Sequence, residues 1–176
     1  MNLPNKLTVL RVCMVPLFVF LMLWNGLGEA GKYVAAVVFI LASMTDWMDG
    51  YLARKNNLVT DFGKFMDPIA DKLLVCSALI CLVEKGALAA WIVIIIIGRE
   101  FIISGFRLVA SDKGIVIAAS YWGKFKTVSQ MFMVILLILD LGSVFNTIAA
   151  VLVWISLALT VISLVDYLRK NWSVLD

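Results

Sequence analysis

Six apolar stretches, at roughly 7–24, 33–53, 66–83, 87–109, 125–140 and 146–168, take up most of a 176-residue chain. At about 1.5 Å per residue, each can cross a hydrocarbon core of about 30 Å with some tilt or a slightly short fit. Backbone in lipid must satisfy its own hydrogen bonds, so these stretches should be helices. The roughly ten-residue alternation of a barrel strand is absent. Composition agrees, with 63% of residues hydrophobic and 15% charged, against about half and about a quarter in a soluble domain. The expected fold is a single all-α integral membrane domain over residues 1–176, with six transmembrane helices.

The first residues add a short element. Leu3, Leu7, Leu10 and Met14 share a helical stripe, with Asn5, Lys6 and Arg11 elsewhere. That pattern predicts a short interfacial helix before the first span, with Pro16 at the bend. The opening apolar stretch lacks a small-residue cleavage pattern, so it reads as a retained span rather than a secretion signal.

Lys and Arg set the orientation. Lys6, Arg11, Arg54, Lys55, Lys64, Lys113, Lys124, Lys126, Arg169 and Lys170 flank one set of span ends, and only Lys32 and Lys85 flank the other. The positive-inside rule then puts both termini and the aspartate-rich stretch Thr45 to Lys72 at the cytoplasmic side of the cell membrane. The net charge of +3 is mild and comes with no basic run, so nucleic acid is not an expected partner. The lack of histidine excludes imidazole acid–base chemistry and His-ligated zinc, and Cys13, Cys76 and Cys81 have no metal-ligand spacing.

The charge that remains is unevenly placed. Between Thr45 and Lys72 lie Asp46, Asp49, Asp61, Asp67 and Asp71. Asp46 and Asp49 are spaced i, i+3 at the end of span two. Asp67 and Asp71 are spaced i, i+4 at the start of span three. Each pair therefore shares a helix face. Gly50, Ala53 and Gly63 sit beside these faces. A short connection should make the two spans neighbours, so four carboxylates converge where anions are expensive. They could act as caps or pair with nearby Lys and Arg; Asp67 before Pro68 also suits an N-cap. The sharper reading is an all-oxygen site for two divalent cations, Mg²⁺ or Mn²⁺. Such a pair stabilises the entering and leaving oxygens of a phosphoryl displacement. The small residues leave room for a nucleotide diphosphate.

The full pattern, D46-xx-D49-G50-xx-A53-R54-x8-G63-xxx-D67-xxx-D71, resembles the signature of the CDP-alcohol phosphotransferase family. The resemblance implies six transmembrane helices, a homodimer, and two divalent metals held by Asp46, Asp49, Asp67 and Asp71. It implies that Asp71 is the base that deprotonates the acceptor hydroxyl. It also implies that Asp46, Asp49, Gly50, Ala53, Arg54 and Gly63 bind the CDP moiety. Physically, Arg54 can donate a planar fork to phosphate. Asp71 serves as base only if it stays ionised within reach of the hydroxyl, and metal coordination of that hydroxyl is an alternative route.

The acceptor is read from the stretches GREFIISGFRLVASDKG and YWGKFKTVSQ. Arg99, Arg107, Lys124 and Lys126 can all approach the cytoplasmic side. Cations in apolar spans need anionic partners. These could be Glu100 or the aspartates, or a phosphate carried by the acceptor. The opening PNKLTVLR and these two stretches are similar to the bacterial branch of the family that transfers a phosphatidyl group from CDP-diacylglycerol to sn-glycerol 3-phosphate. That similarity implies a glycerol-phosphate site at Arg107, Lys124 and Lys126, with Arg99 as a fourth member. Phosphatidylglycerol, inositol phosphate or serine as acceptor is the nearest rival. A divalent-cation transporter is the rival of another class, but the aspartates gather on one side and no charged path crosses the chain. Asn5, Thr8 and Arg11 match a family pattern, and their spacing suggests no role.

Overall fold

The computed structural model describes residues 3–55, 61–115, 117 and 120–172, with the side chains of 3–4, 25 and 46–65 excepted. Six α-helices lie among them: α1 Leu3–Leu23, α2 Glu29–Lys55, α3 Asp61–Glu84, α4 Ala90–Asp112, α5 Tyr121–Leu139 and α6 Ser143–Asn171. The chain divides into two compact units, Met1–Ala87 and Leu88–Asp176.

In the first unit α1 packs on α2 and α3, and α2 packs on α3. Its buried positions are Asn5, Thr8, Arg11, Val15, Phe18 and Met22. The three- and four-residue spacing makes one face, polar in its first half and apolar in its second. On α2, which packs against α1, Ala35, Ala36, Phe39 and Ala42 are buried. The alanines let the backbones approach closely, and the Phe18 and Phe39 ring centroids are 5.7 Å apart. Lipid is as apolar as these side chains, so close packing rather than water exclusion holds the helices together. Phe18 meets Phe39 and Arg11 meets Thr45, so α1 and α2 are antiparallel.

Two expectations are corrected here. The opening residues form no separate interfacial helix, because α1 runs without a break through Pro16. Membrane helices tolerate such a proline because neighbours can satisfy the freed carbonyl. The inward face is the polar one, since Leu10 is exposed while Asn5, Thr8 and Arg11 are buried. The second correction concerns Asp67. It is no N-cap, because α3 begins at Asp61 and Pro68 lies inside it. All four spaced aspartates therefore lie within helices.

α3 ends in a Schellman turn. Gly86 has φ 72° and donates to the Val83 carbonyl, while Ala87 donates to that of Leu82. Only a residue without Cβ adopts that φ freely. Gly114, at φ 73°, closes α4 by the same two bonds, to Ser111 and from Ile115 to Ala110.

In the second unit α6 is the centre, with α4 and α5 packed on it. Trp91 lies by Trp154, Arg99 by Ser163 and Phe106 by Tyr167, so α4 and α6 run the same way. α6 buries Ala149, Ser156, Thr160 and Ser163. Ser156 Oγ lies 3.0 Å from Ser129 Oγ of α5. The Thr160 and Ser163 hydroxyls donate to carbonyls of α6 itself. Ser120 caps α5 by accepting from Gly123 N at 3.1 Å. Asp140 turns the chain in a left-handed conformation, and its Oδ1 accepts from Asn146 Nδ2 at 2.6 Å.

Large apolar side chains cover the outside, among them Leu108 at 73% exposed, Ile94 at 70% and Phe125 at 64%. A surface of that kind is stable against lipid, not water. α1 from Asn5, α5 and α6 are long and apolar enough to cross a membrane. The described parts of α3 and α4 interrupt their apolar runs with charge, Asp67, Asp71 and Lys72 in one and Arg99, Glu100 and Arg107 in the other. The chain is an all-α membrane protein.

Candidate functional site

The first unit carries the carboxylates. α2 and α3 bring Asp46 and Asp49, and Asp67 and Asp71, to the same end of that unit. The side chains of Asp46, Asp49, Ala53 and Arg54, together with Gly50 and Gly63, lie outside the described residues. Among the described residues no group of three or more His, Cys, Asp or Glu comes together. Asp67 is half-buried and Asp71 exposed.

Asp67 has a fixed neighbour. Thr8 Oγ1 of α1 donates to Asp67 Oδ1 at 2.6 Å. On the same face of α1, Arg11 is fully buried and its Nε donates to Thr45 Oγ1 at 3.4 Å. Thr45 immediately precedes Asp46 in α2 and its own hydroxyl donates to the Ala42 carbonyl at 2.6 Å. The donor set fits a hard divalent cation: hydrogen-bonded carboxylate oxygen, with no imidazole or thiolate beside it. Carboxylates that ligate metals are commonly hydrogen-bonded in turn by an outer partner.

The second unit carries the cations, and here the two alternatives left open by the sequence separate. Glu100 Oε1 accepts from Arg99 Nη1 at 2.9 Å and from Lys126 Nζ at 2.5 Å. Arg99 Nε also donates to Ser163 Oγ at 3.2 Å. Arg99 and Lys126 are both buried, so Glu100 supplies the counter-charge that low dielectric demands. Arg107 and Lys124 are exposed. The Arg107 guanidinium carbon lies 5.9 Å from the Tyr167 ring centroid, and Lys124 Nζ lies 5.5 Å from that of Tyr121. Two cations against one carboxylate leave the Arg99–Glu100–Lys126 group positive, with Arg107 and Lys124 adding further positive charge on α4 and α5.

Two residues here were invisible to the reading of spacing. Gly123 leaves room for Arg99: a Cβ there would stand 3.3 Å from Arg99 Nη2. Ser163 is one of several serines in an apolar run, and nothing in the sequence marks it as the partner of an arginine 64 positions away.

The CDP-alcohol phosphatidyltransferase family model matches residues 1–162. The chain belongs to the CDP-alcohol phosphatidyltransferase family. A Bacillus subtilis member named CDP-diacylglycerol–glycerol-3-phosphate 3-phosphatidyltransferase is 46% identical over 187 aligned positions, covering 99% of this chain and 97% of the relative. A Haemophilus influenzae protein of the same name is 39% identical, covering 99% and 96%. A probable phosphatidylglycerophosphate synthase of Mycobacterium tuberculosis is 41% identical, covering 96% and 81%. The sequence likeness to these relatives runs over 96–99% of this chain, so both the carboxylate unit and the cationic unit lie within it.

Proposed function

We propose that this chain is an integral membrane transferase that moves the phosphatidyl group of CDP-diacylglycerol onto the 1-hydroxyl of sn-glycerol 3-phosphate, giving phosphatidylglycerophosphate and CMP. The observation that carries it is the end-to-end likeness to relatives named for this transfer, in a chain with the whole aspartate signature on two packed helices. All six helices span, with both termini and the aspartates at the cytoplasmic side. The protein works as a homodimer, as the family resemblance implies, and residues 1–176 act as one catalytic domain.

Asp46, Asp49, Asp67 and Asp71 would hold two divalent cations, Mg²⁺ or Mn²⁺. When bound, these supply Lewis-acid stabilisation of the charge that develops on the phosphate oxygens. Gly50, Ala53 and Gly63 leave space for the CDP moiety, and Arg54 donates to its phosphate. The acceptor's phosphate is held by Arg107, Lys124 and Lys126, with Arg99 behind them. Lys126 serves while still bonded to Glu100, because the local charge remains positive. Asp71, exposed on α3, takes the proton of the acceptor hydroxyl. The hydroxyl oxygen then forms its bond to the phosphorus that bears diacylglycerol. The bond from that phosphorus to the CMP oxygen breaks, and CMP leaves with the electron pair.

Purified protein given CDP-diacylglycerol and labelled sn-glycerol 3-phosphate should release CMP and labelled phosphatidylglycerophosphate. Transfer instead to inositol phosphate, serine or phosphatidylglycerol would keep the chemistry and overturn the acceptor. Nucleotide-independent Mg²⁺ flux in vesicles, without CMP release, would overturn the transferase reading altogether.

A further inference from the structure

We infer that Thr8 is a positioning residue for Asp67, so that the polar half of α1 is the outer support of the carboxylate site. The inference rests on the proposed reading of Asp67 as a cation ligand and adds a residue to which that reading assigns no part. Thr8 is 59 positions from Asp67, yet its hydroxyl donates to Asp67 Oδ1 at 2.6 Å and the residue is 1% exposed. A buried threonine on a helix has two main rotamers open to it, and this bond to Asp67 fits one of them, which restricts where the donor sits. The terminal torsion of an aspartate is otherwise broad. One short bond from a fixed donor therefore selects one orientation of the carboxylate before any cation arrives.

The rest of the stripe supports the same assignment. Among the described residues, α1 reaches toward this end through polar side chains, Thr8 to α3 and Arg11 to Thr45 of α2. Further along, its inward face turns to Val15, Phe18 and Met22. A helix needed only for packing would carry the apolar pattern throughout, because each buried polar group must find a partner. The change from polar to apolar falls where α1 leaves the carboxylate end. Thr8 thus acts on the site through Asp67, setting how strongly a cation is held rather than moving a proton or touching phosphorus.

The test is Mn²⁺ binding to the detergent-purified protein without substrate, followed by electron paramagnetic resonance, together with the Mg²⁺ concentration that half-activates turnover. Thr8→Val keeps the shape and removes the hydroxyl, and Thr8→Ser keeps the hydroxyl. Loss of an outer partner of a metal ligand typically weakens binding by roughly 10–100-fold. Thr8→Val should show a loss of that order in both measurements, with Thr8→Ser near the parent. If Thr8→Val does not fold, Thr8→Ala serves as the hydroxyl-free variant. Parental Mn²⁺ binding in a folded hydroxyl-free variant overturns the inference, even if activity falls or the KM for CDP-diacylglycerol rises. A tenfold loss in Thr8→Ser equal to that in Thr8→Val overturns it as well, since the hydroxyl would then not be what matters. A parent protein that binds no Mn²⁺ at all overturns the ligand reading of Asp67 itself.

Discussion

Single side chains set the chemistry, and their partners decide how. Asp67→Asn keeps the size of the side chain and removes its charge, so turnover should fall below detection while the purified protein keeps its helical circular dichroism. Full activity in that variant would refute the four-carboxylate site. Glu100 is the second decisive residue. Glu100→Gln removes the carboxylate charge that Arg99 and Lys126 share while both remain buried. Breaking a buried pair in this way typically costs about 3–5 kcal/mol, so the thermal unfolding midpoint should drop clearly. An unchanged midpoint would mean that the two cations are balanced from elsewhere. The i, i+3 and i, i+4 spacing of the aspartates was legible because helical period alone puts such pairs on one face. Thr8 and Ser163 were not, since a hydrogen bond across 59 or 64 positions leaves no trace in local pattern. Glu100 stood as one of several possible partners, and only packing made it the one that Arg99 and Lys126 share.

At the scale of elements, the existence of six helices followed from apolar length, and their ends did not. The sequence suggested a connection over 54–65, but α2 runs to Lys55 and α3 starts at Asp61. Polar residues near the membrane surface can continue a helix as readily as a loop, so hydropathy marks the lipid boundary rather than the helix end. The same ambiguity hid the continuity of α1 through Pro16. The inward face of α1 was hidden for a related reason: the apolar stripe of Leu3, Leu7, Leu10 and Met14 drew the reading, whereas Asn5, Thr8 and Arg11 are the buried residues. Helix contacts in this fold depend on small side chains. Ser156 of α6 is fully buried and meets Ser129 of α5. Ser156→Leu overfills that contact, and overpacking typically costs about 1–3 kcal/mol. It should lower thermal stability in detergent, with the Mg²⁺ dependence of the remaining folded protein unchanged. Loss of Mg²⁺ dependence without loss of stability would contradict this role.

For the whole molecule, orientation and cation dependence are the properties to test. In a variant lacking Cys13, Cys76 and Cys81, a cysteine at Lys113 should react with a membrane-impermeant thiol reagent only after inside-out vesicles are prepared. A cysteine at Lys32 should react from the outer face of intact cells. The reverse pattern would invert the proposed topology. Exhaustive chelation should abolish CMP release, and added Mg²⁺ or Mn²⁺ should restore it; activity that survives chelation would sink the proposed cation site. The sequence by itself determined the solvent of this protein, the helical class, and which residue types could meet a phosphate, because hydrophobic length and helical period are local properties of the chain. Only the tertiary structure decided which hydroxyl donates to Asp67, which carboxylate Arg99 and Lys126 share, and that the polar half of α1 faces inward. Those outcomes depend on which helices lie side by side, and close packing between distant segments selects that arrangement.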